Sequence, residues 1–125
     1  MESDRSAVIN LAGRKLELVL TTRATKEIAA RYGGLDSLGD KLMKADNFEK
    51  ALDEVVYLIT LLANQSVMIH NFNEPGDKWP LLTEEEVELF TSPFDLEAYK
   101  DAIMEAMVKG TKRNIESEDE SSKNA

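Results

Sequence analysis

His70 is the single histidine among 125 residues, and cysteine is absent. A Ser-His-Asp relay or an imidazole metal site would have to use His70. Such chemistry needs a positioned partner, and the chain carries no G-x-S-x-G elbow and no second histidine. The expectation is an ordinary residue near a helix end. Without cysteine, a disulfide framework, a thiolate zinc site and a cysteine nucleophile are excluded.

Glu84, Glu85, Glu86 and Glu88 could supply paired carboxylates or oxygen ligands for a divalent metal. Oxygen sites need ligands that converge from several segments, whereas neighbours on one helix diverge. Thr83-Glu84-Glu85-Glu86 is better explained as a capping box, its acids lying where the helix dipole favours them. Gly33-Gly34 and Gly39 match neither G-x-G-x-x-G nor a Walker loop, and they follow a helix instead of a strand. They read as helix punctuation. No catalytic, metal-binding or cofactor-binding residue is therefore expected.

Aromatic residues remain. Phe72, Trp79, Phe90 and Phe94 gather around a Pro/Gly loop, and aromatic anchors supply much of an interface's energy. They are the candidate partner-binding residues; the competing expectation is that they cover the end of the core. Met43, Met68, Met104 and Met107 suit helix interiors and adaptable interfaces equally.

Composition sets the background. The length suits one domain that can hide about two thirds of its unfolded surface. A net charge of -9, with 31% charged and 42% apolar residues, describes a folded body with a heavily charged surface. Its Lys and Arg are scattered, so nucleic acid and anionic membranes are not expected partners. MESDRSAVIN lacks the basic and apolar regions of a signal peptide. The longest apolar run, Val55 to Ala63, is short of the ~20 residues that cross a bilayer. A cytosolic location follows as the expectation.

The elements that must position these residues are legible in outline. Residues 1–6 read as a disordered lead and 7–113 as a single domain. Alternation on both sides of Ala12-Gly13-Arg14 predicts a hairpin, with Leu16, Leu18 and Leu20 on one face. Thr21 or Thr22 caps a helix with Ala24, Ile28, Ala29 and Tyr32 inward, stopped at Gly33-Gly34. A short helix is expected from Leu35 to Lys44, with Leu35, Leu38 and Leu42 on one side. Asp46 and Glu49 predict a capping box for a central helix to about Ile69 or His70. Its stripe of Phe48, Leu52, Val55, Ile59 and Leu62, widened by Ala51, Val56, Leu58 and Ala63, implies burial on more than one side. After the loop 71–80, Val87 and Phe90 give a short helix its apolar face. Ser92 and Pro93 start the last helix, with Leu96, Tyr99, Ile103 and Met107 inward and Gly110 ending it. The segment 114–125 reads as a disordered acidic tail. The fold class is α+β, mostly α: an N-terminal β-hairpin packed on a bundle of about five helices.

In order and spacing these signals resemble the tail assembly chaperone family of long-tailed (siphovirus-type) bacteriophages and prophages. The likeness begins at Leu16-Glu17-Leu18-Val19-Leu20-Thr21-Thr22-Arg23-Ala24. It continues through Ala30-Arg31-Tyr32-Gly33-Gly34-Leu35-Asp36-Ser37-Leu38-Gly39 and Val55-Val56-Tyr57-Leu58-Ile59-Thr60-Leu61-Leu62-Ala63. It closes with Pro80-Leu81-Leu82-Thr83-Glu84-Glu85-Glu86-Val87 and the final helix, covering roughly residues 8–110. The resemblance implies a protein of the bacterial host cytoplasm that binds the tape measure protein, assists tail tube assembly and stays out of the virion. It also implies a frameshifted longer form that recruits the tail tube protein, and self-association around the client. The alternative is a small structural tail or connector subunit. The family supplies no catalytic residue to carry over.

Overall fold

The computed structural model describes residues 6–35, 37–38 and 48–124, with Phe48 and 112–124 described as backbone only. Two strands, β1 (Ser6–Leu11) and β2 (Arg14–Val19), pair antiparallel from Ser6↔Val19 to Leu11↔Arg14. The expected lead thus ends one residue earlier, since Ser6 already belongs to β1. The turn is Ala12-Gly13, with φ of 52° and 81°. Positive φ at both central residues is the twist-matched two-residue hairpin geometry, and Arg14 enters the strand. Ala7, Ile9 and Leu11 face inward beside Leu18 and Leu20.

Four helices are described. Helix α1 (Thr22–Tyr32) is capped by Thr21, whose Oγ1 accepts from Ala24 N at 3.0 Å. It ends at Gly33, which takes the left-handed conformation and donates its N–H to Ala29 O. Ala24, Ile28 and Tyr32 are buried, but Ala29 is exposed. Helix α2 (Phe48–Asn73) follows, then α3 (Glu84–Phe90) and α4 (Pro93–Asn124). The expected helix from Leu35 to Lys44 lies mostly outside the described residues, as do Asp46 and Leu42. Within it Leu38 is fully buried. About five helices were expected; four are present among the described residues, and the hairpin packs chiefly on α2 and α4.

Helix α2 lies at the centre. It packs along β2 and touches α1, α3 and α4, while α4 runs along β1. Val55, Val56, Leu58, Ile59, Leu62 and Ala63 are buried on it. It is long and apolar enough to cross a membrane by length and composition, with a window of mean hydropathy 1.3, and 44% of that window is buried in the fold. The nine-residue run from Val55 understated this, because hydropathy averaged over the helix tolerates the interleaved polar residues. The helix also runs three residues beyond His70, to Asn73.

Helix α4 begins at a reciprocal cap. Asp95 N donates to Ser92 Oγ, and Ser92 N donates to Asp95 Oδ2. Leu96, Ile103, Ala106 and Met107 are buried as the spacing predicts. Gly110 does not stop it. A Cβ there would sit 2.9 Å from Leu20 Cβ, so this glycine serves close approach of α4 to the end of the hairpin. Beyond it the backbone stays helical to Asn124, through most of the tail expected to be disordered. Extending an existing helix needs no new nucleus, so scarce apolar residues do not by themselves end it.

Candidate functional site

The connection from α2 to α3 is a strap laid back along α2. Asn71 and Asn64, seven residues apart, share a side of the helix. Asn71 Oδ1 accepts from Trp79 N at 2.8 Å and its Nδ2 donates to Trp79 O at 3.0 Å. Asn64 repeats the pattern on Leu82, at 2.7 and 2.8 Å. Each amide replaces the partner a neighbouring strand would give, so the strap is held extended without a sheet.

His70 fixes the outer end of the strap. Its ring stacks on Trp79, with centroids 3.5 Å apart and planes 12° from parallel. Its Nε2 lies 2.6 Å from Asp77 O and 3.5 Å from Asp77 Oδ2. The only histidine thus pins the strap to α2. Glu86 also has its expected place: its Oε1 accepts from Thr83 N, and Thr83 Oγ1 accepts from Glu86 N. Its second oxygen lies 3.7 Å from Arg14. Among the described residues no group of three or more His, Asp or Glu side chains converges as a metal site would.

The aromatic candidates are all exposed, and no ring contact joins any two of them among the described residues. Phe72 is 88% exposed at the end of α2, and Trp79 is 50% exposed on the strap. Phe90, 58% exposed, leaves Val87 alone to bury α3's apolar face. Phe94 is 85% exposed in the first turn of α4. Ring contacts among the described residues instead pair Tyr32 with Tyr57 and His70 with Trp79. The core is closed by Leu82, Val87 and Leu96, so these four are not its lid.

Sequence reasoning missed Leu81, Leu89 and Val108, which are exposed too. It also missed a furrow on the outer side of α2. Arg23 and Glu27 of α1, Tyr57, Thr60, Leu61, Asn64, Gln65 and Met68 of α2, and Leu81 and Glu84 line a space of about 530 Å³. A second space of about 320 Å³ continues it through Arg23, Gln65 and Met68 to Ile69 and Phe72. No family model, curated protein or solved structure matches the chain. The site is therefore read from its own geometry. The signal for the furrow was present in Tyr57, Leu61, Met68 and Phe72, which recur at four- and seven-residue spacing.

The furrow's wall is anchored by charge. Arg31 holds Glu54 with two bonds, Nε to Oε2 at 3.1 Å and Nη2 to Oε1 at 3.3 Å. Tyr32 OH donates to the same carboxylate, and the Arg31 guanidinium lies 4.0 Å from the Tyr57 ring centroid. Burial resists ionisation of Glu54, but the bonds from Arg31 and Tyr32 prevail and hold its carboxyl below its usual value. Burial and Glu54 together raise the Tyr32 phenol. At the other end, Gln65 is 2% exposed and fully used: Thr21 Oγ1 donates to its Oε1, and its Nε2 donates to Leu61 O. Helix α1 is thereby tied to α2 at both ends.

On the opposite side of the strap a space of about 680 Å³ separates it from β2. Leu16, Ala63, Val67 and Leu82 form its apolar lining; Arg14, Lys15, Glu17 and Glu86 bring two charges of each sign. This arrangement offers apolar contact without a preferred ligand charge.

Proposed function

We propose that this chain is a tail assembly chaperone of the long-tailed-phage type, binding the tape measure protein in the host cytoplasm and absent from the finished virion. It acts by binding and does not catalyse. The observation that carries this reading is the distribution of exposed large apolar side chains. Of the seven among the described residues, six lie from Phe72 to Phe94 in the sequence: Phe72, Trp79, Leu81, Leu89, Phe90 and Phe94. They sit on a chain of net charge -9. Exposed apolar groups suit capture of an insoluble client, and a strongly charged surface keeps the pair in solution. The order of motifs from Leu16 to Val87 supports the same family. A frameshifted longer form that recruits the tail tube protein belongs to this proposal.

Co-expression with the tape measure protein of the same gene cluster tests it. Soluble co-purification is expected, and precipitation of that protein with or without this chain would sink the reading. The alternative, a small structural tail or connector subunit, predicts the chain in purified virions by mass spectrometry. The combined variant Phe72→Ser, Phe90→Ser, Phe94→Ser, which spares the stacked Trp79, should lower recovered client severalfold with little change in melting temperature, because each exposed substitution usually falls within about 0.5 kcal/mol.

A further inference from the structure

We propose that the furrow along α2, from Tyr57 to Phe72, seats one amphipathic helix of another protein whose apolar ridge is flanked by Lys and Arg. This rests on the reading of the chain as a binding protein and names the partner element.

The first argument is length. The two spaces beside α2 share Arg23, Gln65 and Met68, so they adjoin along one side of the helix. Fifteen residues separate Tyr57 from Phe72, which is ~22 Å, or about four turns, at 1.5 Å per residue. The furrow is narrow. Its first 530 Å³ accompany Tyr57 to Met68, a stretch of ~16 Å, so it admits a row of side chains and not a whole helix. A partner helix offers such a row at i, i+3/i+4 and i+7.

The second argument is hydrogen bonding. A bound strand needs an open backbone edge. Here two walls are helices, whose backbone groups pair internally, and the strap's Trp79 and Leu82 are held by Asn71 and Asn64, which leaves Leu81 as a single lining residue of the strap, too short an edge for a strand. The occupant must therefore satisfy its own backbone, as a helix does.

The third argument is charge. Arg31, beside the furrow, is neutralised by Glu54, whereas Arg23, which lines it, keeps its positive charge while bonding Met68 Sδ at 3.5 Å, so the lining carries one cation against two carboxylates. Glu27 and Glu84, on opposite walls, hold no ion pair among the described residues. Both line the same space as Tyr57, whose phenol is raised above its usual value by burial first, then by Glu27 against the opposing Arg31, and then by Glu54 and Glu84. Flanking cations on an incoming helix would meet these carboxylates. An acidic chain such as a second copy of this one meets repulsion instead.

Fluorescence anisotropy of labelled 18-residue peptides against the full chain tests this. One peptide has a Leu ridge with Lys flanks, one the same ridge with Glu flanks, and one the Lys composition shuffled to destroy the ridge. The Lys-flanked ridge should bind at least tenfold more tightly than the other two. Glu27→Lys with Glu84→Lys should cost at least tenfold for that peptide and favour the Glu-flanked one. Phe72→Asp, at a fully solvated position, should weaken binding severalfold with the circular dichroism spectrum intact. Equal binding of the shuffled peptide, or indifference to the charge reversal, overturns the proposal. So does a homodimer in sedimentation that Phe72→Asp dissociates, because the occupant is then a second copy. Soluble co-purification of the tape measure protein alongside failed peptide binding would remove the furrow and leave the chaperone reading standing. Peptide binding with a precipitating client would do the reverse.

Discussion

Gly110 sits inside a helix, where alanine normally stabilises by up to ~1 kcal/mol. Here the added methyl would meet Leu20 Cβ at 2.9 Å and Leu20 Cδ2 at 3.0 Å. Gly110→Ala should instead destabilise by about 1–3 kcal/mol, the usual cost of overpacking; a raised urea midpoint would contradict the close-approach account. Ala12 shows the opposite case. It holds φ of 52° in open surroundings at the hairpin turn. Asparagine tolerates that region better, so Ala12→Asn should stabilise by up to ~1 kcal/mol, read as a higher melting temperature. Glu54 governs an acid limb. Its folded pKa lies below the ordinary glutamate value, so the unfolded chain binds the proton more readily and stability rises with pH. Its contribution is complete above about 4.5 and fades as pH falls through the folded value. Glu54→Gln should therefore be less stable than the parent near neutrality, and the gap in urea midpoints should close as pH falls from about 6 to about 3.

The strap depends on two asparagines, and this makes a prediction at the scale of elements. Asn64→Ala leaves the part-buried N–H and C=O of Leu82 without partners, which costs about 1–3 kcal/mol. Asn71→Ala, in a more exposed place, should cost less and shift Trp79 emission to the red as the stack on His70 loosens. A double-mutant cycle should show positive coupling, since both clasps restrain one segment; strict additivity would mean that they act independently. The helices themselves were largely legible. Thr21, Thr83 and Ser92 announced three starts, and Ala24, Ile28, Val55, Ile59, Leu62 and Ile103 kept helical spacing on buried faces. The strap was not legible, because Asn71 and Pro80 carry the same turn signals whether a loop hangs free or lies along a helix. The end of α4 was misread for a related reason: glycine serves both chain reversal and close packing, and only the neighbour, Leu20, tells them apart.

Across the whole molecule, the aromatic candidates were visible as residue types but not as exposed groups. Phe72, Phe90 and Phe94 look like core residues until the burial of Leu82, Val87 and Leu96 shows the core already closed. The furrow was hidden because Thr60, Asn64 and Gln65 interleave with Tyr57, Leu61 and Met68, so no purely apolar face stands out. The hairpin carries a further consequence. Tyr99 donates to Asn10 O at 2.5 Å, and Lys109 donates to Ser6 O at 3.0 Å across 103 residues of sequence. Strand β1, made before the other described elements, is thus covered by nearly the last described packing residues of the chain. During synthesis its apolar face must wait for α4, at ~5–20 residues per second. Closure between distant segments is slow to nucleate. A nascent chain halted near residue 95 should therefore leave β1 open to protease, and release of the next twenty residues should protect it.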